Sequence, residues 1–131
     1  MTNVLIGAPV RDRAWILPAY LQALYDLDYP RDKLGFCFIL NDSTDASGEI
    51  LRRFQAICER DGYRRCDIIE VNMGAEPDQR QDEVRQRTYR RLAELRNMLL
   101  DQVRDDEDYL FSVDTDVIVE SDVLQKLLAS G

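Results

Sequence analysis

The sequence has no histidine, and it is poor in cysteine and in long apolar runs. Without histidine, Ser-His-Asp and Cys-His catalysis are excluded, as are the common zinc sites. The three cysteines, Cys37, Cys58 and Cys66, are odd in number and form no CxxC pair, which is typical of reduced residues in a cytoplasmic protein. No apolar run approaches the roughly 20 residues that cross a bilayer, and no signal-peptide pattern opens the chain. We therefore expect a cytoplasmic chain without a transmembrane segment.

The charge of the chain is strongly acidic. Lysine and arginine number 17 and aspartate and glutamate 25, which gives a net charge of −8 over 131 residues. A surface of that sign repels nucleic acid and anionic lipid, so we expect neither as a partner. It would also repel a diphosphate unless a divalent cation lay between them. The proportions of 45% hydrophobic and 32% charged residues fit a single globular domain over residues 1–131.

Short apolar runs alternate with longer amphipathic stretches along the chain. The apolar runs predict strands at residues 4–6, 35–40, 66–71 and 109–113. Helical spacing of apolar residues predicts helices at 14–27, 47–60, 82–103 and 121–128, and residues 72–81 are predicted as a loop. This order predicts an α/β fold, namely a Rossmann-like, mostly parallel sheet with helices on both faces. Ligands of such sheets bind at the carboxyl ends of the strands, where three polar clusters fall, at 9–13, 41–45 and 114–116.

An Asp-x-Asp pattern follows the last predicted strand. In an extended segment, residues i and i+2 point to the same face, so Asp114 and Asp116 are able to address one ion. Carboxylate oxygens suit Mn²⁺ or Mg²⁺, which complete their shells with water and phosphate oxygens. The alternative is a pair of solvated turn carboxylates. We expect both acids at the carboxyl end of a central strand, facing the same cleft as Asp42.

The cluster at residues 41–45 has two interpretations. Its aspartate, serine and threonine residues suit a turn and a helix cap, and a cap is the better interpretation of Asp45 or Ser47. Asp42, which is nearest the strand end, would instead be able to accept a hydrogen bond from a nucleobase or a ribose.

Two arginines and an asparagine are the last candidate residues of the ligand site. Asn97 is a mediocre helix former between leucines, so we expect Arg96 and Asn97 on the cleft side of the long helix, close to Asp42 or to the acidic pair. The alternative for Arg96 is a solvated helix face. Arg11 follows Pro9 at the predicted rim, where it would bind phosphate or pair with a surface acid.

The polar clusters at the strand ends and the Arg-Asn pair of the long helix, taken together, resemble the N-terminal part of GT-A-fold glycosyltransferases, particularly family 2. Residues 8–14 resemble the Pro-Thr-Tyr-Asn-Arg-Ala segment of that family, and residues 41–45 resemble its Asp-Asp-Gly-Ser-Thr-Asp turn. Residues 95–97 are similar to its Ala-Arg-Asn helix motif, and residues 114–116 to its metal-binding acidic DxD motif. The phrase at residues 27–30, with 35–36 and 42–45, also resembles Anp1-type mannosyltransferases and procollagen galactosyltransferases.

The resemblance implies a role for each motif. Asp116 would bind the metal, Asp114 the metal or the ribose, and Asp42 the base. Arg96 would lie near Asp42 or the diphosphate. Pro9 and Arg11 would line the donor site. Two departures stand out, because Arg11 replaces an aromatic residue that stacks on the base, and Asn41 replaces the first acid of the turn.

The function implied is transfer of a sugar from a nucleoside diphosphate sugar to the hydroxyl of a glycan, protein or lipid-linked acceptor, with Mn²⁺ or Mg²⁺. No catalytic base is assigned. We expect this domain to lack the acceptor half and to be inactive alone, and Glu76, Asp78 and Glu120 are the first bases to test otherwise. Self-association over an exposed sheet edge is also expected.

Three other functions are alternatives to sugar transfer. A non-catalytic nucleotide-binding, metal-binding or assembly module fits the same residues. A receiver-like signalling domain is disfavoured because Lys33 and Lys126, which are the only lysines, do not end a strand. A nucleotidyltransferase is disfavoured because residues 7–9 are a poor version of its Gly-rich loop.

Overall fold

The computed structural model describes the backbone of residues 2–72 and 81–130, and the side chains of these residues except 81–89 and 130. Within these ranges the chain alternates four strands with four helices. The strands are β1 (Val4–Val10), β2 (Leu34–Asn41), β3 (Arg65–Val71) and β4 (Tyr109–Ser112). The helices are α1 (Leu17–Tyr25), α2 (Ser47–Asp61), α3 (Gln81–Asp101) and α4 (Val123–Ser130), with a short 3-10 turn at Arg31–Lys33.

The strands form one parallel sheet in the order β3-β2-β1-β4. Val4 at the start of β1 is in register with both Leu34 of β2 and Tyr109 of β4. The predicted α/β fold with a parallel sheet is therefore confirmed. The prediction that the acidic motif follows a central strand is wrong for the described sheet, because β4 lies at its edge.

Both faces of the sheet are covered by helices, and alternate residues of each strand face opposite layers. Phe36 and Phe38 of β2 pack in the larger core, which also holds residues of α1, α2 and α4. The alternate residues of the same strand, Cys37 and Ile39, face the other side of the sheet. There they pack with Leu95 and Leu99 of α3. All eight residues of β2 are buried, as expected for a strand enclosed by two layers.

A glycine in β1 allows α3 to approach the sheet closely. A Cβ atom added at Gly7 would meet the carbonyl oxygen of Cys37 and would lie 2.5 Å from Cδ1 of Leu99. Because the first of these neighbours is backbone, no side-chain rotation would relieve the clash. Gly7 therefore determines how near the cleft-facing residues of α3 lie to the strand ends.

Some predicted boundaries differ from the structure. The helix predicted to begin at residue 14 begins at Leu17, because the backbone N–H groups of residues 12–14 donate to the loop after β2 and to the first residue of α2 instead. The long helix ends at Asp101 rather than at residue 103. Residues 73–80, which include the candidate bases Glu76 and Asp78, lie outside the described residues. No helix in the described ranges has the length and apolar character needed to span a membrane.

Candidate functional site

A cleft of about 420 Å³ opens at the carboxyl end of the sheet, between the strand ends and α3. It lies where a parallel α/β sheet ordinarily binds its ligand. Its lining combines the end of β1, the last residue of β2, one side of α3 and the segment after β4. The polar and cleft-facing residues from these four places are Pro9, Arg11, Arg13, Asn41, Arg91, Leu92, Leu95, Arg96, Asp114 and Asp116.

The acidic motif reaches this cleft through a turn. The N–H of Val113 donates to the carbonyl of Gly7 at 3.1 Å, which continues the pairing of β4 with β1. The N–H of Val117 then donates to the carbonyl of Asp114 at 3.0 Å and closes a four-residue turn. All three residues of the motif line the cleft, with Thr115 buried and Asp114 and Asp116 exposed. The two acids share a face as predicted, although by a turn and not by strand alternation.

A buried tyrosine that the sequence analysis did not single out holds this turn. The hydroxyl of Tyr20 in α1 donates to the carbonyl of Val113 at 2.6 Å. Burial, and secondarily the charge of Asp114, raises the pKa of Tyr20, so its hydroxyl stays protonated as a donor. A buried tyrosine ordinarily finds a partner for its hydroxyl, and this was the only signal available in the sequence.

The loops after β1 and β2 are bonded to each other. The N–H of Asp12 donates to Oγ of Ser43 at 3.0 Å, and the N–H of Thr44 donates to Oδ1 of Asp12 at 2.7 Å. Asp12 and Asp42 both have φ of 49°, a left-handed conformation that aspartate tolerates better than most residues. These reciprocal bonds position the backbone of both loops at the rim of the cleft.

Asp45 and Ser47 make structural hydrogen bonds at the start of α2, although the cap position itself is held by Ala46, whose side chain makes no cap bond. Oδ1 of Asp45 accepts the N–H of Ser47 at 2.9 Å, and its Oδ2 accepts the N–H of Ala14 at 3.0 Å. Oγ of Ser47 in turn accepts the N–H of Arg13 at 2.9 Å. Hydrogen bonds from Ser47, and then from Ala14, hold the pKa of Asp45 below its usual range. Both side chains thus join the first turn of α2 to the β1–α1 loop.

Asp42 does not line the cleft that holds the acidic pair. It lines a neighbouring hollow of about 320 Å³, together with Asp45, Glu49, Arg52 and Glu70. The prediction that Asp42 faces the same cleft as Asp114 and Asp116 is therefore wrong. Its physical reason is that β2 runs one residue further than its apolar segment, so that Asn41 takes the last strand position.

Asn41 occupies the place in the cleft that was expected for Asp42. Its side chain lines the cleft, and only 4% of the residue is exposed. Within the described part of the chain, its Oδ1 is buried and has no hydrogen-bond partner. Buried polar atoms are nearly always paired, so an unpaired one beside a cleft is a feature to be explained.

Arginine outnumbers aspartate in the described lining of the cleft, although the net charge of the whole chain is −8. Arg96 lies near the acidic pair as predicted, whereas Asn97 is exposed and is not part of the lining. Arg13 and Arg91, which were not predicted as site residues, join Arg11 and Arg96 there. The side chain of Arg13 also donates to the carbonyl of Arg11 at 3.1 Å. The cleft is thus suited to an anion, which the bulk charge did not indicate.

The two aspartates fit a cation that takes most of its ligands from water and substrate. Among the described side chains, which are those of residues 2–72 and 90–129, no group of three or more aspartate, glutamate or cysteine residues forms a candidate metal cluster. Mn²⁺ and Mg²⁺ accept one or two carboxylates and complete their shells with water and phosphate oxygens. Asp114 and Asp116, beside arginines able to bind the same phosphates, satisfy that requirement.

Comparison with known proteins identifies the family. The family model for Anp1 matches residues 1–131. A glycosyltransferase 25 family member from Drosophila pseudoobscura pseudoobscura is 36% identical over 52 residues, which are 40% of this chain and 8% of the fly protein. The chain therefore spans a small part of that relative.

Solved structures show the same fold. Staphylococcus aureus TarS 1–349 superposes with a TM-score of 0.71 and 16% identity, over 98% of this chain and 32% of TarS 1–349. A structure of the same TarS fragment in complex with UDP-GlcNAc gives a TM-score of 0.70. The mannosyltransferase PcManGT from Pyrobaculum calidifontis, in complex with GDP-Man and Mn²⁺, gives 0.66 at 21% identity, over 96% of this chain and 31% of PcManGT. The chain thus has the fold of a glycosyltransferase segment about a third as long as the solved chains.

Proposed function

We propose, from the premise that this chain belongs to the Anp1 family, that it is the donor-binding domain of a metal-dependent glycosyltransferase. The observation that carries the proposal is the cleft in which Asp114 and Asp116 lie with four arginines. Such a lining fits a diphosphate together with a divalent cation. The neighbours solved with UDP-GlcNAc and with GDP-Man and Mn²⁺ support this class of ligand.

Each cleft residue has a role in this proposal. Asp114 and Asp116 would hold Mn²⁺ or Mg²⁺, which when bound neutralises charge that develops on the departing diphosphate. Arg96 donates hydrogen bonds to the phosphate oxygens from α3, and Arg11 does so from the β1 rim. Pro9 contributes apolar surface between them. Tyr20 acts on the site only through Val113, by fixing where the acidic turn begins.

The acceptor would be a hydroxyl of a glycan, a protein or a lipid-linked sugar, and residues 1–131 would form one domain of the enzyme. None of the described residues is assigned as the base. Glu120 is exposed near Lys126, at 3.5 Å, and does not line the cleft. The three buried, free cysteines favour a reducing, cytoplasmic compartment. Exposed Tyr109 and Leu127 beside β4 support self-association, which analytical ultracentrifugation would test.

Calorimetric titration of the chain with UDP and with GDP, in Mn²⁺ and in EDTA, tests the proposal. We expect at least one nucleotide to bind in Mn²⁺ and to bind at least about tenfold more weakly in EDTA, a difference of about 1.4 kcal/mol. The arginines would retain the residual affinity. Asp116→Ala should abolish the difference between the two conditions.

The matched control is Asp105→Ala, which removes the same charge from an exposed aspartate at the opposite end of the sheet. It should bind nucleotide as the unaltered chain does. Equal affinity with and without the cation would leave the non-catalytic nucleotide-binding module as the better description, and no nucleotide binding at all would reject both.

A further inference from the structure

We propose that the groove between α1 and α2 binds an amphipathic helix of a partner protein, and that carboxylates seven residues apart on that helix meet Arg53 and Arg60. The groove has a volume of about 370 Å³. Helices α1 and α2 cover the face of the sheet opposite to α3, which lines the cleft. The occupant of the groove would therefore leave the cleft open, and its binding does not depend on the proposed function.

The floor of the groove is apolar and continuous with the core. Leu21 of α1 and Phe54 of α2 are each 5% exposed, and Tyr25 and Ile50 are partly buried against the same core. Ile57 of α2 also lines the groove and is only partly buried. Apolar surface that stays in contact with water favours a partner that removes it from water.

The spacing of the apolar lining residues fits a helical occupant. Those of α2 are Ile50, Phe54 and Ile57, which are four and three residues apart. Those of α1 include Leu21 and Tyr25, which are four residues apart. The stripe on α2 spans two turns, or about 10 Å. A groove of this length between two helices accommodates a third helix whose apolar residues recur every three or four positions.

The charge of the groove differs from that of the whole chain. Its described lining holds Arg53 and Arg60 and no carboxylate, although the net charge of the chain is −8. The two arginine side chains are 74% and 71% exposed. Because they are seven residues apart, they lie on one side of α2. A helix beside α2 with glutamate or aspartate at the same spacing would bring one carboxylate to each arginine.

Both arginines have an acidic neighbour, and neither neighbour lines the groove. Glu49 accepts from Arg53 at 2.6 Å but lines a different hollow. Asp61 accepts from Arg60 and from the hydroxyl of Tyr25, each at 2.9 Å, and the side chain of Asp61 is mostly buried. A guanidinium has five N–H donors, so these bonds leave both arginines able to bind a further carboxylate.

An acidic helix suits the groove better than an anionic membrane does. A bilayer presents its charge over a wide plane, and it repels a chain whose net charge is −8. A helix presents carboxylates only where the two arginines lie. The apolar floor would then supply most of the affinity, while the arginines would select the partner.

The experiment measures fluorescence anisotropy with three labelled synthetic peptides of about 20 residues, a length at which a helix forms in water. The first peptide has leucines at three- and four-residue spacing, flanked by glutamates seven residues apart. The second has lysine in place of glutamate, and the third has the composition of the first in scrambled order. We expect the unaltered chain to bind the glutamate peptide at least about tenfold more tightly than either of the others. Bulk charge alone would favour the lysine peptide, so this preference would come from the groove.

Charge reversal in the groove tests its source. Arg53→Glu combined with Arg60→Glu should reverse the preference, so that the lysine peptide binds more tightly. Should that variant fail to fold, Arg53→Glu alone keeps the bonds of Asp61 and should reduce the preference to about threefold. The matched control for Arg53→Glu is Arg52→Glu, which makes the same change in net charge on the same helix. Arg52 pairs with Glu70 and lines the other hollow, so the control should keep the tenfold preference.

Several results would overturn the proposal. Equal binding of the glutamate and lysine peptides would do so, as would a full preference that survives in Arg53→Glu. A dimer in sedimentation that Arg53→Glu dissociates would mean that a second copy covers the groove instead.

Nucleotide separates the groove from the cleft. UDP or GDP with Mn²⁺ should leave the glutamate peptide bound, because the cleft lies on the α3 side of the sheet. Displacement of the peptide by nucleotide would place it in the cleft and overturn the proposal. Failure of every nucleotide to bind would reject the proposed function and leave the role of the groove unchanged.

Discussion

The two ends of the sheet use the same charged residue types in opposite ways. At the amino end, Arg65 donates to Glu107 at 2.8 Å and to Asp67 at 2.7 Å, and the side chain of Glu107 is fully buried. At the carboxyl end, Asp114 and Asp116 are exposed in the cleft. Both ends therefore contain arginine and carboxylate, but Glu107 is buried in a network of hydrogen bonds whereas Asp114 and Asp116 line an open cleft.

The difference in burial between the two ends indicates which charged groups stabilise the fold. Arg65 also donates to the carbonyl of Gln102, just after α3, and Glu107 accepts the N–H of Arg104. This network joins the end of α3 to β3 and to the approach to β4. Groups that satisfy one another in this way are unavailable to a ligand, whereas Asp114 and Asp116 are exposed where the cleft opens.

Breaking the amino-end network should have the largest effect on stability. Glu107→Ala leaves Arg65 buried without its main partner, and we expect a loss of about 3–5 kcal/mol in the free energy of unfolding. Urea denaturation would measure it. Glu107→Gln, which keeps a hydrogen-bonding oxygen, should lose less.

The control for Glu107 is Glu49→Ala, which breaks the exposed pair with Arg53. That change should alter the unfolding free energy by about 0.5 kcal/mol or less. Similar losses for Glu49 and Glu107 would mean that burial does not distinguish the pairs, and the comparison between the two ends would not hold.

Removing the hydroxyl that positions the acidic turn should have the next largest effect. Tyr20→Phe leaves the buried carbonyl of Val113 without its donor, and we expect a loss of about 1–3 kcal/mol. Because burial raises the pKa of Tyr20 in the folded chain, its contribution is complete below the unfolded value of about 10 and declines as the pH rises above it. The stability gap between the two proteins should therefore narrow above pH 10. A gap that widens there would contradict this assignment.

Much of the fold was predictable from the sequence because its signals are local. The apolar run at 35–40 indicated a buried strand, and the order of runs and amphipathic stretches indicated a parallel sheet. The contacts that shape the site are not local. Tyr20 and Val113 are 93 residues apart, and Asp12 meets Thr44 across 32 residues. Residue types alone do not encode such pairings.

Asn41 lines the cleft where Asp42 was predicted, so the prediction was in error by one residue. The apolar run ends at Leu40, whereas the strand continues through Asn41. Successive strand residues face opposite sides of a sheet, so one added position decides which side chain enters the cleft. The acidic pair was predicted correctly to share a face because a closed turn also places both acids on one side.

A substitution that removes the unpaired amide of Asn41 should raise stability. Asn41→Leu replaces a buried polar group by an apolar one of similar shape, and we expect the unliganded chain to gain about 1 kcal/mol. Thermal denaturation would show a higher Tm without nucleotide. A lower Tm without ligand would mean that the amide has a partner within the fold.

The smallest effect on stability is expected from a substitution in the acidic turn, at the carboxyl end of the sheet. Asp116 is exposed, and its side chain makes no hydrogen bond within the described part of the chain, so Asp116→Ala should change the unfolding free energy by about 0.5 kcal/mol or less. Removing one of two like charges in the same cleft even favours a small gain. In 1 mM Mn²⁺ with nucleotide, the unaltered chain should be stabilised more than the variant, because a ligand that binds the folded state more tightly raises Tm further. A large loss without ligand would show that Asp116 supports the fold as Glu107 does, and the carboxyl end would then resemble the amino end.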